Sequence, residues 1–163
     1  MNPMPVKWFA LAGVVVILDQ GSKWLADDLL GSRDVIPLLP FLALRKAYNP
    51  GAAFSFLSDA SGWQRWFFVG LALLVIGVLI AWLRRLPRGE ARLGVALALI
   101  LGGAAGNLID RVLYGHVIDF IDLYYRDWHW PTFNIADSAI TIGAALLLLD
   151  AFLGRRTEAR DRR

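Results

Sequence analysis

Long apolar blocks alternate with shorter polar segments along the chain, and this pattern predicts four membrane-spanning helices. The blocks cover residues of about 6–24, 66–83, 93–110 and 133–153. Each is close to the roughly 20 residues that an α-helix needs to cross the hydrocarbon core of a bilayer. The first block could also be a signal peptide, but DQGSKW follows it where a small-residue cleavage site should stand. The sequence therefore favours a retained helix.

The connections between the blocks predict a small β-containing region. Segment 26–64 is long for a simple connection, and its stretch Val35 to Tyr48 contains two prolines among short apolar runs. We expect short strands there, lying on the membrane surface. Segment 112–132 contains the apolar and aromatic stretch GHVIDFIDLYY, which we expect to lie along the interface or to re-enter the bilayer edge. The fold class is thus an all-α membrane protein with four transmembrane helices and a small extracytoplasmic β-containing segment between helices 1 and 2, formed by one domain over residues 1–163.

The distribution of arginine predicts how the helices are oriented. The short link between the second and third blocks and the tail after the fourth block are rich in arginine, with Arg84, Arg85, Arg88, Arg92, Arg155, Arg156, Arg160, Arg162 and Arg163. Segment 26–64 mixes basic with acidic residues. Since positive charge is retained on the cytoplasmic side, both termini should be cytoplasmic, and segments 26–64 and 112–132 should face outward.

Composition agrees with a membrane protein and excludes several kinds of site. Hydrophobic residues make up 57% of the chain, and the mean hydropathy is +0.50. The absence of cysteine excludes disulfides, thiolate metal sites and a cysteine nucleophile. The net charge of +3 comes from basic residues that flank the apolar blocks, so it does not indicate a nucleic-acid partner. No zinc motif such as HExxH is present, and we predict neither a metal nor an organic cofactor.

Polar side chains from three of the predicted helices should meet near the outer surface. The first and third helices run outward and the fourth runs inward, which brings polar residues near the outer ends of all three to one level. Polar groups inside spans are costly and are functional candidates by default. These residues, which predict a site that opens to the outer leaflet, are Asp19, Lys23, Asn107, Asp110, Arg111, Asn134 and Asp137.

Structural explanations for the same residues remain open at this point. Asp19 and Lys23 are four positions apart with the acid first, as in an ion pair that closes one helix. Asn134 is a good N-cap, and Asp137 suits the first turn of a helix. The run GGAAG before Asn107 could be only a seam for close helix packing.

Aspartate is the plausible acid and base in this chain. The two histidines lie in the outer loop, no GxSxG motif occurs, and a Ser–Lys dyad that uses Lys23 has little support. Two neighbouring carboxylates can share a proton, so that one activates water and the other donates a proton. Composition does not decide which two aspartates form such a pair. Intramembrane Asp and Arg also occur in ion-coupled transporters, but the polar groups at mid-membrane depth or the internal repeat expected of those proteins are absent.

Four motifs in order resemble those of the lipoprotein signal peptidases, also called type II signal peptidases. They are DQGSK in the first span, NPGAAFS at 49–55, GNLIDRVLYGHVIDFID at 106–122 and FNIADSAI at 133–140. Together with the four-span layout, they cover nearly the whole chain. No single motif is decisive, but the ordered set is highly specific.

The resemblance implies an aspartyl endopeptidase of the bacterial inner membrane that needs no cofactor. Its substrates would be prolipoproteins with a diacylglyceryl-modified cysteine, cut before that cysteine. Membrane lipids would surround it, and globomycin-type inhibitors would occupy the substrate site. The resemblance further implies that the catalytic pair is Asp119 and Asp137. The residues that it implies as supporting ones are Asn49, Asn107, Arg111, Asn134, Asp19 and Lys23.

Overall fold

Four long helices form the body of the protein in a computed structural model that describes residues 6–31, 35–51, 63–87 and 89–161. They are α1 (Val6–Leu30), α2 (Trp63–Arg85), α3 (Ala91–Leu113) and α4 (Ile135–Asp161). Each contains a stretch that is long and apolar enough to cross a membrane, which in α4 is Ile135–Phe152. The four predicted spans are confirmed. Helix α1 is longer than predicted, since it continues to Leu30 into the segment expected to lie outside.

Helix α3 is the central helix and contacts the other three. Of its membrane-spanning stretch 61% is buried, compared with 17% in α2. Glycines allow this close packing. A Cβ atom on Gly102 would lie 2.7 Å from the carbonyl oxygen of Ala12 in α1, and one on Gly103 would overlap the carbonyl oxygen of Ala136 in α4. The packing role predicted for the Gly/Ala run is therefore present.

A four-stranded antiparallel sheet lies at one end of the helix bundle, in the order β1, β2, β3, β4. The strands are β1 (Val35–Leu39), β2 (Leu42–Asn49), β3 (Val117–Tyr125) and β4 (Trp128–His129). The strands predicted for 35–48 are confirmed. Strand β3 was not predicted, because the same stretch was expected to lie along the interface or re-enter the bilayer. The sheet joins the two segments that were predicted to face outward, since β2 pairs with β3.

The sheet and α3 together determine where β3 begins. In the register of β2 with β3, Ala47 lies opposite Asp119 and Asn49 lies opposite Val117. Arg65, near the start of α2, donates to the carbonyl oxygens of Arg111 at 2.9 Å and Val112 at 2.7 Å. These carbonyls lie in the last turn of α3, where the helix leaves backbone acceptors incompletely satisfied and a cation is favourable. The end of α3 is thus held before the chain turns into β3.

Candidate active site

Two carboxylates from different elements are held by amide side chains at the sheet end of the bundle. Asp119 lies on β3, is only 3% exposed, and accepts hydrogen bonds from Nδ2 of Asn49 at 3.1 Å and Nδ2 of Asn134 at 2.7 Å. Asp137 lies in the first turn of α4, is half-buried, and accepts from Nδ2 of Asn107 at 2.8 Å. Each of these carboxylates is therefore fixed in orientation by neutral donors.

Asn134 connects the two carboxylates. It immediately precedes α4, and its Oδ1 accepts from the backbone N–H of Asp137 at 2.8 Å. In return, the carboxylate of Asp137 accepts from the backbone N–H of Asn134 at 3.3 Å, which gives the reciprocal geometry of a capping box. The amide nitrogen of the same side chain donates to Asp119. Asn134 therefore caps α4 and contacts Asp119 at the same time.

Asn49 is oriented by the turn that follows β2. Its Oδ1 accepts from the backbone N–H of Gly51 at 2.9 Å, so that its amide nitrogen points to Asp119. Gly51 has a φ of 104°, which L side chains rarely adopt, and a Cβ atom there would overlap the ring of Phe68. This accounts for the Asn-Pro-Gly part of the motif at 49–55. The remainder of that motif, 52–55, lies outside the described residues.

Burial changes the protonation of Asp119. Burial, together with the negative charge of Asp137, raises the pKa of Asp119 to about 7. The hydrogen bonds from Asn49 and Asn134 and the charge of Lys23 oppose this rise in part. Two close carboxylates cannot both ionise cheaply, so such a pair can hold one shared proton near neutral pH.

Lys23 lies at the centre of a buried polar cluster. Its Nζ donates to the carboxylates of Asp19 at 2.8 Å and Asp110 at 2.7 Å and to Oδ1 of Asn107 at 3.1 Å. Lys23 is 2% exposed, and the two acids are 0% and 1% exposed. The predicted pair of Asp19 with Lys23 is present, but it extends from α1 into α3 instead of closing a single helix.

The two acids of this cluster also accept backbone hydrogen bonds from other elements. Oδ1 of Asp19 accepts from the N–H of Ala136 at 2.9 Å, and Oδ2 of Asp110 accepts from the N–H of Ile118 at 3.1 Å. Gln20 donates to both acids, at 3.2 Å to Asp19 and 2.8 Å to Asp110. The role of Gln20 was not predicted from the sequence, and Asp110 was not included among the supporting residues, although both lie within the quoted motifs.

Arg111 supplies a cation beside the carboxylates. Its guanidinium attracts Asp137 and Asp119 and lies over the ring of Phe68, 5.4 Å from the ring centroid. Its Nη1 donates to the backbone oxygen of Asn107 at 3.3 Å. Among the described residues, its buried Nε has no hydrogen-bond partner. A buried donor without a partner is unfavourable, so the position of this guanidinium is held by its other contacts.

The two histidines lie at the sheet, His129 in β4 and His116 just before β3. Nδ1 of His129 lies 2.9 Å from Asp122, which also pairs with Nε of Arg45 at 3.1 Å. His116 packs on Tyr48 with 4.5 Å between the ring centroids. Within the described ranges, no group of three or more His, Asp or Glu side chains is arranged to hold a metal ion.

Comparison with known proteins gives concordant matches over most of the chain. The family model described as signal peptidase (SPase) II matches residues 11–153. The lipoprotein signal peptidase of Acinetobacter baumannii is 54% identical over 150 residues, which cover 92% of this chain and 85% of that protein. The lipoprotein signal peptidase of Pseudomonas fluorescens is 50% identical over 154 residues, covering 93% of this chain and 91% of that protein.

A solved structure also matches. It is described as a bacterial membrane enzyme determined by the in meso method at 2.3 Å resolution. It has a TM-score of 0.78 and 32% sequence identity, and the match covers 94% of this chain and 92% of that one.

Proposed function

This chain belongs to the signal peptidase II family of proteases, and on that premise we propose that Asp119 and Asp137 are its catalytic pair. The observation that carries the proposal is their meeting through Asn134, which donates to one carboxylate and shares a capping box with the other. A pair of carboxylates in different environments can divide the roles of acid and base.

The raised pKa of Asp119 supports its role as the acid, and Asp137, which is half-buried, is the base. Asp137 takes a proton from a water molecule while the water oxygen bonds to the scissile carbonyl carbon. Asp119 gives its proton to the carbonyl oxygen, which forms a neutral diol. The C–N bond then breaks as Asp137 passes its proton to the leaving nitrogen and Asp119 recovers a proton from the diol. Atoms and charges balance, and both residues return to their starting states.

The supporting residues act on orientation and charge in this proposal. Asn49 and Asn134 hold Asp119, and Asn107 holds Asp137, so each carboxylate keeps its reactive oxygen in place. The guanidinium of Arg111, which attracts both carboxylates, supplies positive charge beside the reacting carbonyl. A fixed charge of this kind is most valuable where negative charge develops in the transition state.

The proposed substrates are prolipoproteins, cut before a diacylglyceryl-modified cysteine. The curated relatives bear the name lipoprotein signal peptidase. The acyl chains of such a cysteine remain in the bilayer, so the bond before it lies near the membrane surface. Polar residues at the sheet end of α1, α3 and α4 would meet a scissile bond at that depth. A signal helix could reach the pair laterally, and globomycin-type inhibitors would compete for the same place.

The proposed location is the bacterial inner membrane, with both termini in the cytoplasm and the carboxylate pair toward the periplasm. Arg84 and Arg85 end α2, and Arg92 lies in the first turn of α3. These residues are at the end of the bundle opposite to the sheet. Retention of positive charge in the cytoplasm therefore supports a sheet that faces outward.

The test is cleavage of a lipidated prolipoprotein peptide by purified enzyme, with mass spectrometry of both products. Asp119→Asn and Asp137→Asn should each abolish cleavage, because the amide keeps the shape of the carboxylate but does not accept a proton. Asp150→Asn is the matched control, since it alters an exposed pair with Arg92 at the far end of the bundle. Near wild-type turnover by either dyad variant, at equal folded concentration, would reject the proposal.

A second arm of the test concerns the lipid. The same peptide without its diacylglyceryl group should be cut poorly or not at all, because binding energy from the acyl chains helps to hold the peptide in the reactive geometry. Equal turnover of the two peptides would leave a protease with these catalytic residues but reject the proposed dependence on the lipid.

A further inference from the structure

We propose that Lys23 is the centre of a clamp that sets the relative position of the two catalytic carboxylates, and that Asp110 and Gln20 are positioning residues within it. The Lys23 clamp comprises Lys23, Asp19, Asn107, Asp110 and Gln20. The inference rests on the proposed function, because it assigns to these residues an effect on the pair Asp119 and Asp137.

The two acids of the clamp accept hydrogen bonds from backbone N–H groups next to the carboxylate pair. Asp19 accepts from the N–H of Ala136, the residue directly before Asp137. Asp110 accepts from the N–H of Ile118, the residue directly before Asp119. Each acid therefore fixes the backbone next to one catalytic residue. Lys23 donates to both acids, at 2.8 and 2.7 Å, so it joins the start of α4 to the start of β3.

The third hydrogen bond of Lys23 reaches the pair through a side chain. Its Nζ donates to Oδ1 of Asn107, which turns the amide nitrogen of Asn107 to Asp137 at 2.8 Å. All three donors of the ammonium group are therefore used on groups that hold either a catalytic residue or its neighbour. Gln20 closes the cluster from α1, because it donates to both acids and to the backbone oxygen of Gly106 at 3.2 Å.

The charges of the clamp are poorly suited to a role in stability alone. The clamp buries two acids and one lysine, and burying ions costs several kcal/mol each before pairing offsets it. The N-terminus of α4 partly offsets this cost. It carries partial positive charge, and Asp19 accepts from one of its free N–H groups. Apolar side chains could fill the same space without this cost, but they would not hold two backbone N–H groups at fixed positions.

The test measures kcat, KM and the pH profile of Asp110→Asn and Lys23→Gln on the lipidated peptide, per folded enzyme. A displacement of about 1 Å can cost about 100-fold in rate, so we expect kcat to fall about 10- to 100-fold. KM should change less than about threefold, because Lys23 and Asp110 are 2% and 1% exposed and act on the carboxylate pair through other groups. Asp110→Asn should lose less kcat than Asp110→Ala, since Asn still accepts from Ile118. A purely structural role would reduce the amount of folded enzyme and leave kcat unchanged.

The pH profile provides a second readout. The positive charge of Lys23 lowers the pKa of Asp119, so its removal should move the basic limb of the kcat profile to higher pH. Within the described ranges, the other charged groups that act on Asp119 are Asp137 from α4 and Arg111 from α3, and neither is changed in this variant. An unmoved or lowered limb in Lys23→Gln would contradict the clamp.

Gln20→Met keeps the proposal testable if the charge variants do not fold. It removes the hydrogen bonds to both acids without changing charge, and we expect a loss in kcat of about 3- to 10-fold, smaller than that for the lysine. Wild-type kcat in Gln20→Met and in every clamp variant that folds would overturn the inference. If Asp119→Asn and Asp137→Asn are inactive in the same assay, the proposed function survives that outcome. If the dyad variants are active, the proposed function itself fails.

Discussion

Replacing Gly106 with alanine tests the clamp by shape alone, without changing any charge. Gly106 lies on α3 where Asp19 of α1 reaches across to α4. A Cβ atom at this position would lie 2.5 Å from Oδ2 of Asp19 and 3.1 Å from its Cγ. The same carboxylate accepts from Lys23 and from the backbone of Ala136. The added methyl group therefore pushes directly on the acid that holds the start of α4.

The size of the effect follows from the overlap. Ordinary contact begins at 3.4 Å, so an oxygen 2.5 Å away must move by about 1 Å. Because Asp19 also holds the N–H of Ala136 through Oδ1, we expect this displacement to reach the backbone next to Asp137 and to lower kcat about 10- to 100-fold. Overpacking should cost about 1–3 kcal/mol, while alanine in place of a helical glycine gains about 1 kcal/mol. Stability should therefore fall by no more than about 2 kcal/mol, compared with a total of about 5–15 kcal/mol that is typical of folded proteins.

The assay compares Gly106→Ala with Gly21→Ala by cleavage of the lipidated peptide and by thermal unfolding in detergent. Gly21 is on α1, and a Cβ there would meet nothing within 4 Å. The control should keep wild-type kcat and be slightly more stable. If Gly106→Ala also keeps wild-type kcat and gains stability, Asp19 has room to move without disturbing Asp137, and the geometric reasoning is refuted.

Three further predictions concern the pair itself. Because Asp119 must be protonated to act as an acid, kcat should fall as the pH rises through about 7, and a flat kcat profile across that range would contradict its role. Asn49→Ala removes a hydrogen bond that lowers the pKa of Asp119, so the basic limb should move to higher pH, and a shift to lower pH would contradict the assignment. Cleavage should continue in EDTA, and a loss of activity that zinc restores would contradict an aspartyl mechanism.

The helices could be predicted from the sequence because their signal is local. A span needs about 20 apolar residues whatever lies beside it, and each block shows this by itself. The ends of the helices were predicted less accurately than their presence. Helix α1 continues beyond residue 24 to Leu30, since Ala26 and Leu30 are buried and the helix contacts strands β2 and β3.

Strand β3 could not be predicted in the same way, because its partner is distant in sequence. Asn49 and Asp119 are joined by a hydrogen bond across 70 positions. The stretch around Asp119 reads as apolar and aromatic, which is equally typical of an interfacial segment. Only the pairing with β2 distinguishes these possibilities. The aspartate between Ile118 and Phe120 was a useful signal nevertheless, since a carboxylate in such surroundings has few local reasons to be there.

The structural explanations for single residues describe real contacts, yet they do not exclude a role in catalysis. Asn134 does cap α4, and Asp19 does pair with Lys23 four positions later. In each case the local contact uses only part of the side chain. The second half of the Asn134 amide reaches Asp119, and the second oxygen of Asp19 reaches Ala136. A cap or an ion pair predicted from spacing accounts for only part of the hydrogen bonding of a residue. The remaining donors and acceptors of the same side chain can connect different helices of a membrane enzyme into one site.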